Sequence, residues 1–384
     1  MNILHIASFV GNIGDNANHK GLRSCLERAF PDRCPQYTEL EIRKCYRIYT
    51  GADRWAFDEQ FVELANAHDL IVIGGGNFFE PWLTESASGT TIDLSLDVLD
   101  QIQSPLVFFG VGFDTYKSCP NACLARFLTF SEYLQQRSNT LLSFRNDGSF
   151  DNYVSSYGAQ AAHNILTVPD GAFFYQPSDD LGLIDASGSE EYWGINVASD
   201  MKDVRFPGGE KSLTWEQFLD KYAEFLSTAL QERDTLRLIF FPHIYKDLSA
   251  IGELLDRIDD RFCRDRIVVA PYLYGWEGAD KLFGLYDTCA LVMGMRFHTN
   301  VCAMAMDIPA IGLSSSPKLF DLYADLNLSR RCIDVKNRAF VAPLKELISS
   351  IESNALRIKR ENIQLKDTLE KQMGRFILRL REMI

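Results

Sequence analysis

The chain has 384 residues, of which 46% are hydrophobic and 24% are charged. This composition is that of an ordinary globular protein and excludes a disordered or fibrous one. The length exceeds what one hydrophobic core usually supports, so it predicts two domains of roughly 150 to 200 residues. A formal net charge of −13 argues against broad nucleic-acid binding, which normally needs a basic surface. An acidic chain that binds an anion must concentrate its positive charge locally, which makes each clustered arginine informative.

The nine cysteines show no metal-ligand spacing, and their odd number without a secretory leader favours a reducing compartment. The first residues, Asn2 to Phe9, lack the basic flank and the long apolar run of a signal peptide and predict a strand instead. No apolar stretch approaches the ~20 residues that span a membrane. We therefore predict a cytoplasmic protein with no transmembrane segment, no metal and no resident cofactor.

Apolar runs typical of strands alternate with helical spacing along the whole chain. In the first half, the predicted strands are Ile3 to Phe9, Tyr37 to Ile42, Leu70 to Ile73, Leu106 to Phe109 and Leu141 to Phe144. The predicted helices between them are Asn18 to Phe30, Phe57 to Ala67, Leu94 to Ile102 and Ala122 to Gln135. In the second half, the predicted strands are Trp193 to Val197, Leu236 to Phe241, Ile267 to Ala270, Ala290 to Met293 and Ala310 to Leu313. The corresponding helices are Trp215 to Leu230, Leu248 to Ile258, Ala279 to Tyr286, Thr299 to Met306 and Pro317 to Leu326. Such alternation predicts βαβ units and a mainly parallel sheet in each half.

A stretch rich in Asp, Ser and Gly, Gln176 to Glu191, interrupts both patterns and predicts the seam between two domains. We predict a Rossmann-like N-terminal domain at residues 1–178 and a Rossmann-like C-terminal domain at residues 190–343, facing each other across a cleft. The remaining residues, 344–384, form a helical extension with nine Lys or Arg and six Asp or Glu. A helix packed on the protein is favoured here, with a peripheral membrane contact as the alternative.

Two glycine-rich loops follow predicted strands of the first half. The first, Gly11 to Ala17, lacks the full GxGxxG spacing of a dinucleotide site, and Asp15 would repel a phosphate. Asn12 and Asp15 could instead bind a neutral polyhydroxyl ligand, or they could simply form the turn and cap the helix. In the second loop, Gly75 and Gly76 let a ligand approach the backbone closely, but they also permit any tight turn.

Arg145 stands where the predicted strand Leu141 to Phe144 ends. At that position an arginine can point into a ligand-binding crevice. A salt bridge with Asp147 or Asp170 accounts for it equally well from position alone. Asp170 could also orient Arg145 toward a ligand.

Arg296 and His298 lie between a buried strand and a short helix, the position where open α/β sheets bind ligands. An always-charged guanidinium beside an imidazole indicates an anionic substrate and a proton to move. Lys318 and Ser315 follow the next strand and present an ammonium group and a hydroxyl to an anion, although serines before a proline are also ordinary capping chemistry. His243 ends another strand of this half and has a structural role as its simpler interpretation.

Taken together in order, these segments resemble the polysaccharide pyruvyl transferase family over about residues 2 to 325. The segments that carry the resemblance are Gly11 to Asp15, Gly74 to Gly76, Ser143 to Arg145, Phe241 to His243, Gly294 to His298 and Pro317 to Lys318. The resemblance implies a two-domain fold of the GT-B type, phosphoenolpyruvate as the donor, and a sugar or glycan acceptor, free or lipid-linked, that receives pyruvate as a cyclic ketal. It places the functional arginine, histidine and lysine at Arg145, His298 and Lys318, with Arg296 as an additional donor-binding residue.

The residues fit this chemistry. Phosphoenolpyruvate carries a phosphate and a carboxylate, and Arg145, Arg296 and Lys318 offer three cations for them. Imidazole ordinarily titrates near neutral pH, so His298 is the predicted general acid or base. Two alternatives remain: a GT-B glycosyltransferase with a nucleotide-sugar donor, and a catalytically silent sugar-binding relative. We also expect the alanine variants of Arg145, His298 and Lys318 to stay folded, because the sequence places these residues in loops.

Overall fold

The computed structural model describes residues 1–178, 182, 184 and 188–384. The predicted seam, Gln176 to Glu191, contains residues 179–181, 183 and 185–187, which lie outside this described part. The chain forms two compact units. The N-terminal unit comprises Met1–Phe9, Asn18–Phe174 and Thr368–Ile384, and the C-terminal unit comprises Val10–Ala17 and Tyr175–Asp367.

The N-terminal unit is built on six strands. They are β1 (Asn2–Ala7), β2 (Gln36–Glu41), β3 (Leu70–Gly74), β4 (Leu106–Val111), β5 (Thr140–Arg145) and β6 (Ile165–Val168). Its helices are α1 (Ile13–Ala29, whose first turn belongs to the other unit), α2 (Glu59–Asn66), α3 (Leu96–Gln101), α4 (Asn121–Gln136) and α5 (Ser149–Tyr157). All strand pairs are parallel, in the order β2-β1-β3-β4-β5-β6.

Both faces of this sheet are covered, because alternate residues of a strand point to opposite faces. In β3, Ile71 and Ile73 belong to an apolar core on one face, whereas Leu70 and Val72 belong to a core on the other. Helices α2 to α5 contribute to the first core. The second core is completed by α1 and by three residues near the C-terminus of the chain, Met373, Phe376 and Leu380.

The C-terminal unit repeats the plan. Its strands are β7 (Glu191–Asn196), β8 (Leu236–Phe240), β9 (Ile267–Val269), β10 (Cys289–Gly294), β11 (Ala310–Ser314) and β12 (Cys332–Asp334). Its helices are α6 (Lys202–Arg205), α7 (Trp215–Glu232), α8 (Tyr245–Leu255), α9 (Asp260–Asp265), α10 (Gly275–Gly284), α11 (Phe297–Ala305), α12 (Pro317–Asp325), α13 (Val341–Ser353) and α14 (Ala355–Met383, whose last residues belong to the N-terminal unit). The strands are parallel in the order β12-β11-β10-β7-β8-β9.

The predicted α/β class with two Rossmann-like domains is confirmed by these two parallel six-stranded sheets. Two edge strands, β6 and β12, were absent from the prediction. They have only four and three residues, too few for an apolar pattern to stand out. Among the helices that begin earlier than predicted are α1, at Ile13, and α11, at Phe297. His298 therefore lies in the first turn of α11 and Asp15 in the first turn of α1.

The two units differ from the predicted domain ranges at both ends of the chain. Residues 10–17, predicted in the N-terminal domain, belong to the C-terminal unit. The predicted helical C-terminus is confirmed by α13 and α14. It is divided between the units: Leu344 and Ile348 join the core of the C-terminal unit, while Phe376 and Leu380 join that of the N-terminal unit. The apolar positions of this tail follow a helical period, so packing on the protein satisfies them. None of the helices in the described part combines the length and hydropathy of a membrane-spanning segment.

Candidate functional site

The sheet of the C-terminal unit reverses its direction of growth between β7 and β10. From β7 the chain adds β8 and β9 on one side, whereas β10 is followed by β11 and β12 on the other. In an open parallel sheet, ligands bind at the carboxyl ends of the strands beside such a reversal, because the connecting loops diverge there and leave a crevice. Arg296 and His298 follow β10 and therefore stand at this point.

Arg296 is held by two carboxylates at the reversal. Its Nε and Nη2 donate to both oxygens of Asp247, with an Nε to Oδ2 distance of 2.7 Å, and Nη2 also donates to Asp200 Oδ1 at 2.9 Å. Its backbone N–H donates to the Asn196 side chain at 3.0 Å. Burial alone would lower the pKa of Arg296, but the two carboxylates outweigh it and raise that pKa. The guanidinium charge is thus already compensated by two negative charges.

His298 is buried against the first turn of α1. Its Nδ1 lies 3.8 Å from Asp15 Oδ1, and Asn12 Nδ2 donates to that same oxygen at 3.1 Å. Gly14 faces the ring so closely that an added Cβ would lie 2.4 Å from the Cβ and 2.6 Å from Nδ1 of His298. The predicted substrate residues Asn12 and Asp15 therefore lie beside the predicted proton carrier, within one unit.

The contact between Gly14 and His298 gives a direct prediction. A methyl group at position 14 must displace the imidazole or the helix turn, so we expect Gly14→Ala to lower the free energy of unfolding by about 1–3 kcal/mol. Gly374 is the matched control, because it is also helical but has no atom within 4 Å of an added Cβ. Gly374→Ala should stabilise by about 0.5–1 kcal/mol, since alanine favours helices. Urea unfolding of both variants tests this, and equal stabilisation by both would contradict the close contact.

His243 contacts residues of both helices that carry the candidate site. It is fully buried, its Nε2 lies 3.1 Å from the Tyr286 hydroxyl and 3.3 Å from Thr299 Oγ1, and its carbonyl accepts from the backbone N–H of Ile13 at 3.2 Å. Burial, with the nearby charges of Arg296 and His298, lowers the pKa of His243 well below its ordinary value. The His243 ring thus bonds α11 and its backbone carbonyl bonds α1, which favours the structural interpretation.

Two buried histidines make the stability of the protein sensitive to acid. The pKa of His5, in β1, is also lowered well below its ordinary value by burial and by His19 and Arg23. Because the unfolded chain takes up a proton below pH ~6.5 whereas folded His5 and His243 do not, stability is full above that pH and falls as the pH drops. Between pH 7 and pH 5, we expect each histidine to lower the free energy of unfolding by about 2 kcal/mol. Urea unfolding at both pH values tests this. The double variant with His5→Gln and His243→Gln should lose less stability than wild type between pH 7 and pH 5.

Lys318 and Ser315 follow the neighbouring strand β11. Lys318 is half-buried in the first turn of α12, after Ser316 and Pro317, and Ser315 is buried just before them. Because β10 and β11 are adjacent and parallel, the first turns of α11 and α12 start from the same edge of the sheet.

Arg145 lies in the N-terminal unit, in a buried cluster of its own. It is the last residue of β5, and its Nε and Nη2 donate to Asp147 Oδ2 at 3.0 and 2.8 Å, while Nη1 donates to Asp170 Oδ2 at 3.1 Å. Asp170 Oδ2 also accepts from Asn18 Nδ2 at 2.7 Å. Arg145 keeps only 4% of its side chain exposed and both carboxylates are fully buried. The salt bridges that the sequence left open as an alternative are therefore formed, and the expected loop position is wrong.

The second glycine loop lies beside this cluster. Gly75 has φ +76°, and an added Cβ would lie 2.8 Å from Asn18 Oδ1 and from the His19 ring. Gly76 packs on Phe78 in the same way. Close packing within the unit thus explains why glycine occupies both positions. Contact of Gly75 and Gly76 with substrate stays a prediction.

Residues 12–317 match the model of a protein family described as polysaccharide pyruvyl transferase. The chain belongs to this family. The match spans most of the chain and confirms the resemblance found in the sequence. A search of curated proteins returns no match.

Solved structures with the same fold have low sequence identity. The structure titled OtsA apo structure has a TM-score of 0.57 at 11% identity and covers 98% of each chain. A UDP-forming α,α-trehalose-phosphate synthase from Burkholderia xenovorans has a TM-score of 0.55 at 11% identity, covering 99% of this chain and 98% of its own. MnaA of S. aureus, solved with UDP, has a TM-score of 0.53 at 11% identity, covering 94% and 90%. At these identities the likeness shows the fold alone, which is GT-B-like with two Rossmann-like domains.

The structure groups the predicted site residues of this family member into two sets. Asn12, Asp15, His243, Arg296, His298, Ser315 and Lys318 belong to the C-terminal unit, whereas Gly75, Gly76 and Arg145 belong to the N-terminal unit. Asp200 and Asp247, which bind Arg296, were not among the predicted site residues. Asp247 could have been found from its position, because its carboxylate accepts from the backbone N–H groups of His243 and Ile244 at the start of α8.

Proposed function

We propose that this protein transfers pyruvate from phosphoenolpyruvate to a sugar of a cell-surface polysaccharide or its precursor, releasing phosphate and leaving a pyruvate ketal. The observation that carries the proposal is the position of His298 in a chain of this family. Its imidazole is buried in the first turn of α11, at the reversal of the sheet, beside a carboxylate and an amide that suit a sugar.

The donor's negative charge would be bound mainly by Lys318 and by two helix N-termini. Arg296 already compensates Asp247 and Asp200, so it contributes little net positive potential. The first turns of α11 and α12 point backbone N–H groups to the carboxyl edge of β10 and β11, and such N–H groups favour phosphate and carboxylate. Arg145 and Arg296 as donor ligands stay predictions.

The reaction needs two proton transfers from hydroxyl groups. The methylene carbon of phosphoenolpyruvate gains a proton, and one sugar hydroxyl adds to the neighbouring carbon while losing its own. The C–O bond to phosphate then breaks, and a second hydroxyl of the same sugar adds at that carbon. Its proton leaves with the phosphate. In this proposal His298 carries protons between hydroxyl and carbon, Asp15 orients its ring, and Asn12 and Asp15 bind the acceptor hydroxyls.

A donor comparison tests the proposal. The purified protein is incubated with a panel of glycosides and either phosphoenolpyruvate or UDP-sugars, and released phosphate, UDP and the mass of the sugar product are measured. Phosphoenolpyruvate should give phosphate and a product heavier by one pyruvate ketal. Release of UDP with glycosyl transfer, and no consumption of phosphoenolpyruvate, would instead establish the glycosyltransferase alternative. Sugar binding without turnover of either donor would establish the catalytically silent one.

A further inference from the structure

Two tyrosines stand on the loop that follows β9, in the same unit as His298. Tyr272 and Tyr274 have ring centroids 6.3 Å apart at an interplanar angle of 43°, and Tyr274 keeps 66% of its surface exposed. Gly275 follows with φ +75°, a conformation that suits glycine, and begins α10. The turn thereby leaves Tyr274 in an extended conformation with its ring in solvent.

A path of contacts joins these tyrosines to the candidate site. The Tyr272 hydroxyl lies 3.5 Å from the Gly11 carbonyl oxygen. Gly11 directly precedes Asn12, whose side chain donates to Asp15, and Asp15 lies beside His298. Gly11 and Asn12 are consecutive residues, so these contacts place the Tyr272 hydroxyl within roughly 20 Å of the His298 ring along this path. That distance exceeds one sugar ring and suits a chain of two or three.

We propose that Tyr272 and Tyr274 form a stacking platform for a sugar ring of the acceptor that is one or two rings away from the ring receiving pyruvate. The inference rests on the proposed function and adds a second binding position for the acceptor, away from the reacting sugar. One face of a pyranose ring carries C–H groups with partial positive charge, and the face of an aromatic ring is negative, so the two attract. The phenol hydroxyls can bond sugar hydroxyls at the edge of the ring.

The length of the acceptor supplies the test. Saturation-transfer NMR measures the binding of methyl glycosides and of trisaccharides of glucose, galactose and mannose to wild-type protein and to Tyr274→Ala and Tyr274→Phe. We expect Tyr274→Ala to weaken binding of the preferred trisaccharide about tenfold and to leave the matching methyl glycoside unchanged. Tyr274→Phe should bind like wild type because it keeps the aromatic face. Tyr116→Ala, which removes a half-exposed tyrosine of the N-terminal unit, is the control.

Unchanged trisaccharide binding in Tyr274→Ala, or wild-type protein that binds none of the trisaccharides, would overturn the platform. This result is distinguishable from failure of the proposed function. If pyruvyl transfer is normal and trisaccharide binding is the same in Tyr274→Ala as in wild type, the platform alone is rejected. Tyrosine-dependent trisaccharide binding without consumption of phosphoenolpyruvate rejects the donor alone.

Discussion

Replacing His298 with asparagine is expected to leave the protein folded and to lower pyruvyl transfer by about 10²- to 10⁴-fold. Asparagine is smaller than histidine and polar, so it fits beside Gly14 and Asp15 without a clash, but it cannot carry a proton. The loss should fall on kcat, with the KM for phosphoenolpyruvate near the wild-type value, because the proposed role of His298 is to move a proton in the transition state.

The matched control for this variant is His163→Asn, which changes an exposed histidine of the N-terminal unit. Steady-state kinetics with circular dichroism compares the two proteins. A raised KM for phosphoenolpyruvate with unchanged kcat would mean that His298 binds the donor and that another group moves the proton. Turnover at the wild-type rate would remove His298 from the chemistry altogether.

The sequence predicted the scaffold of this site because its signals are local. The apolar run of β10, the polar residues that follow it and the helical spacing of α11 all lie within a short stretch, so the position of His298 could be predicted. The contact of His298 with Asp15 could not be predicted in this way. Asp15 belongs to the first helix, and only the assembled C-terminal unit, which includes residues 10–17, brings it to the imidazole.

The carboxylate partners of Arg296 could not be predicted from the sequence either. Arg296 meets Asp200 and Asp247, which follow β7 and β8, because the three strands end at one edge of the sheet. Net charge and spacing cannot show that the Arg296 guanidinium is matched by two carboxylates from other loops. In our proposal the contribution of Arg296 to the anion site is therefore smaller than the sequence indicated.

Replacing Arg145 with alanine is expected to destabilise the N-terminal unit by about 3–5 kcal/mol, the typical cost of removing one partner from a buried charge cluster. Asp147 and Asp170 have no exposed side-chain surface, and Arg145 bonds both. Without the guanidinium, the two buried carboxylates lose the cation that bonds both of them. Such a loss is a large part of the 5–15 kcal/mol by which a domain is typically stable. It replaces the expectation, drawn from the sequence, that Arg145→Ala would stay folded.

Urea unfolding measures this effect, with Arg264→Ala as the control. Arg264 also pairs with an aspartate, Asp260, but both side chains are about three-quarters exposed, so its removal should leave the unfolding midpoint unchanged. A triple variant, Arg145→Met with Asp147→Asn and Asp170→Asn, removes the charges together and should regain part of the lost stability. That recovery would identify uncompensated charge as the cause.

The same variants separate a structural arginine from a donor ligand. If Arg145 serves the fold, the triple variant should regain stability and keep its affinity for phosphoenolpyruvate, because our proposal places the donor's charge in the C-terminal unit. If Arg145 binds the donor, as the family resemblance implies, Arg145→Ala should unfold at the wild-type urea concentration and bind phosphoenolpyruvate weakly. A buried guanidinium already bonded to two carboxylates has little positive potential left for a third anion, so we expect the first result.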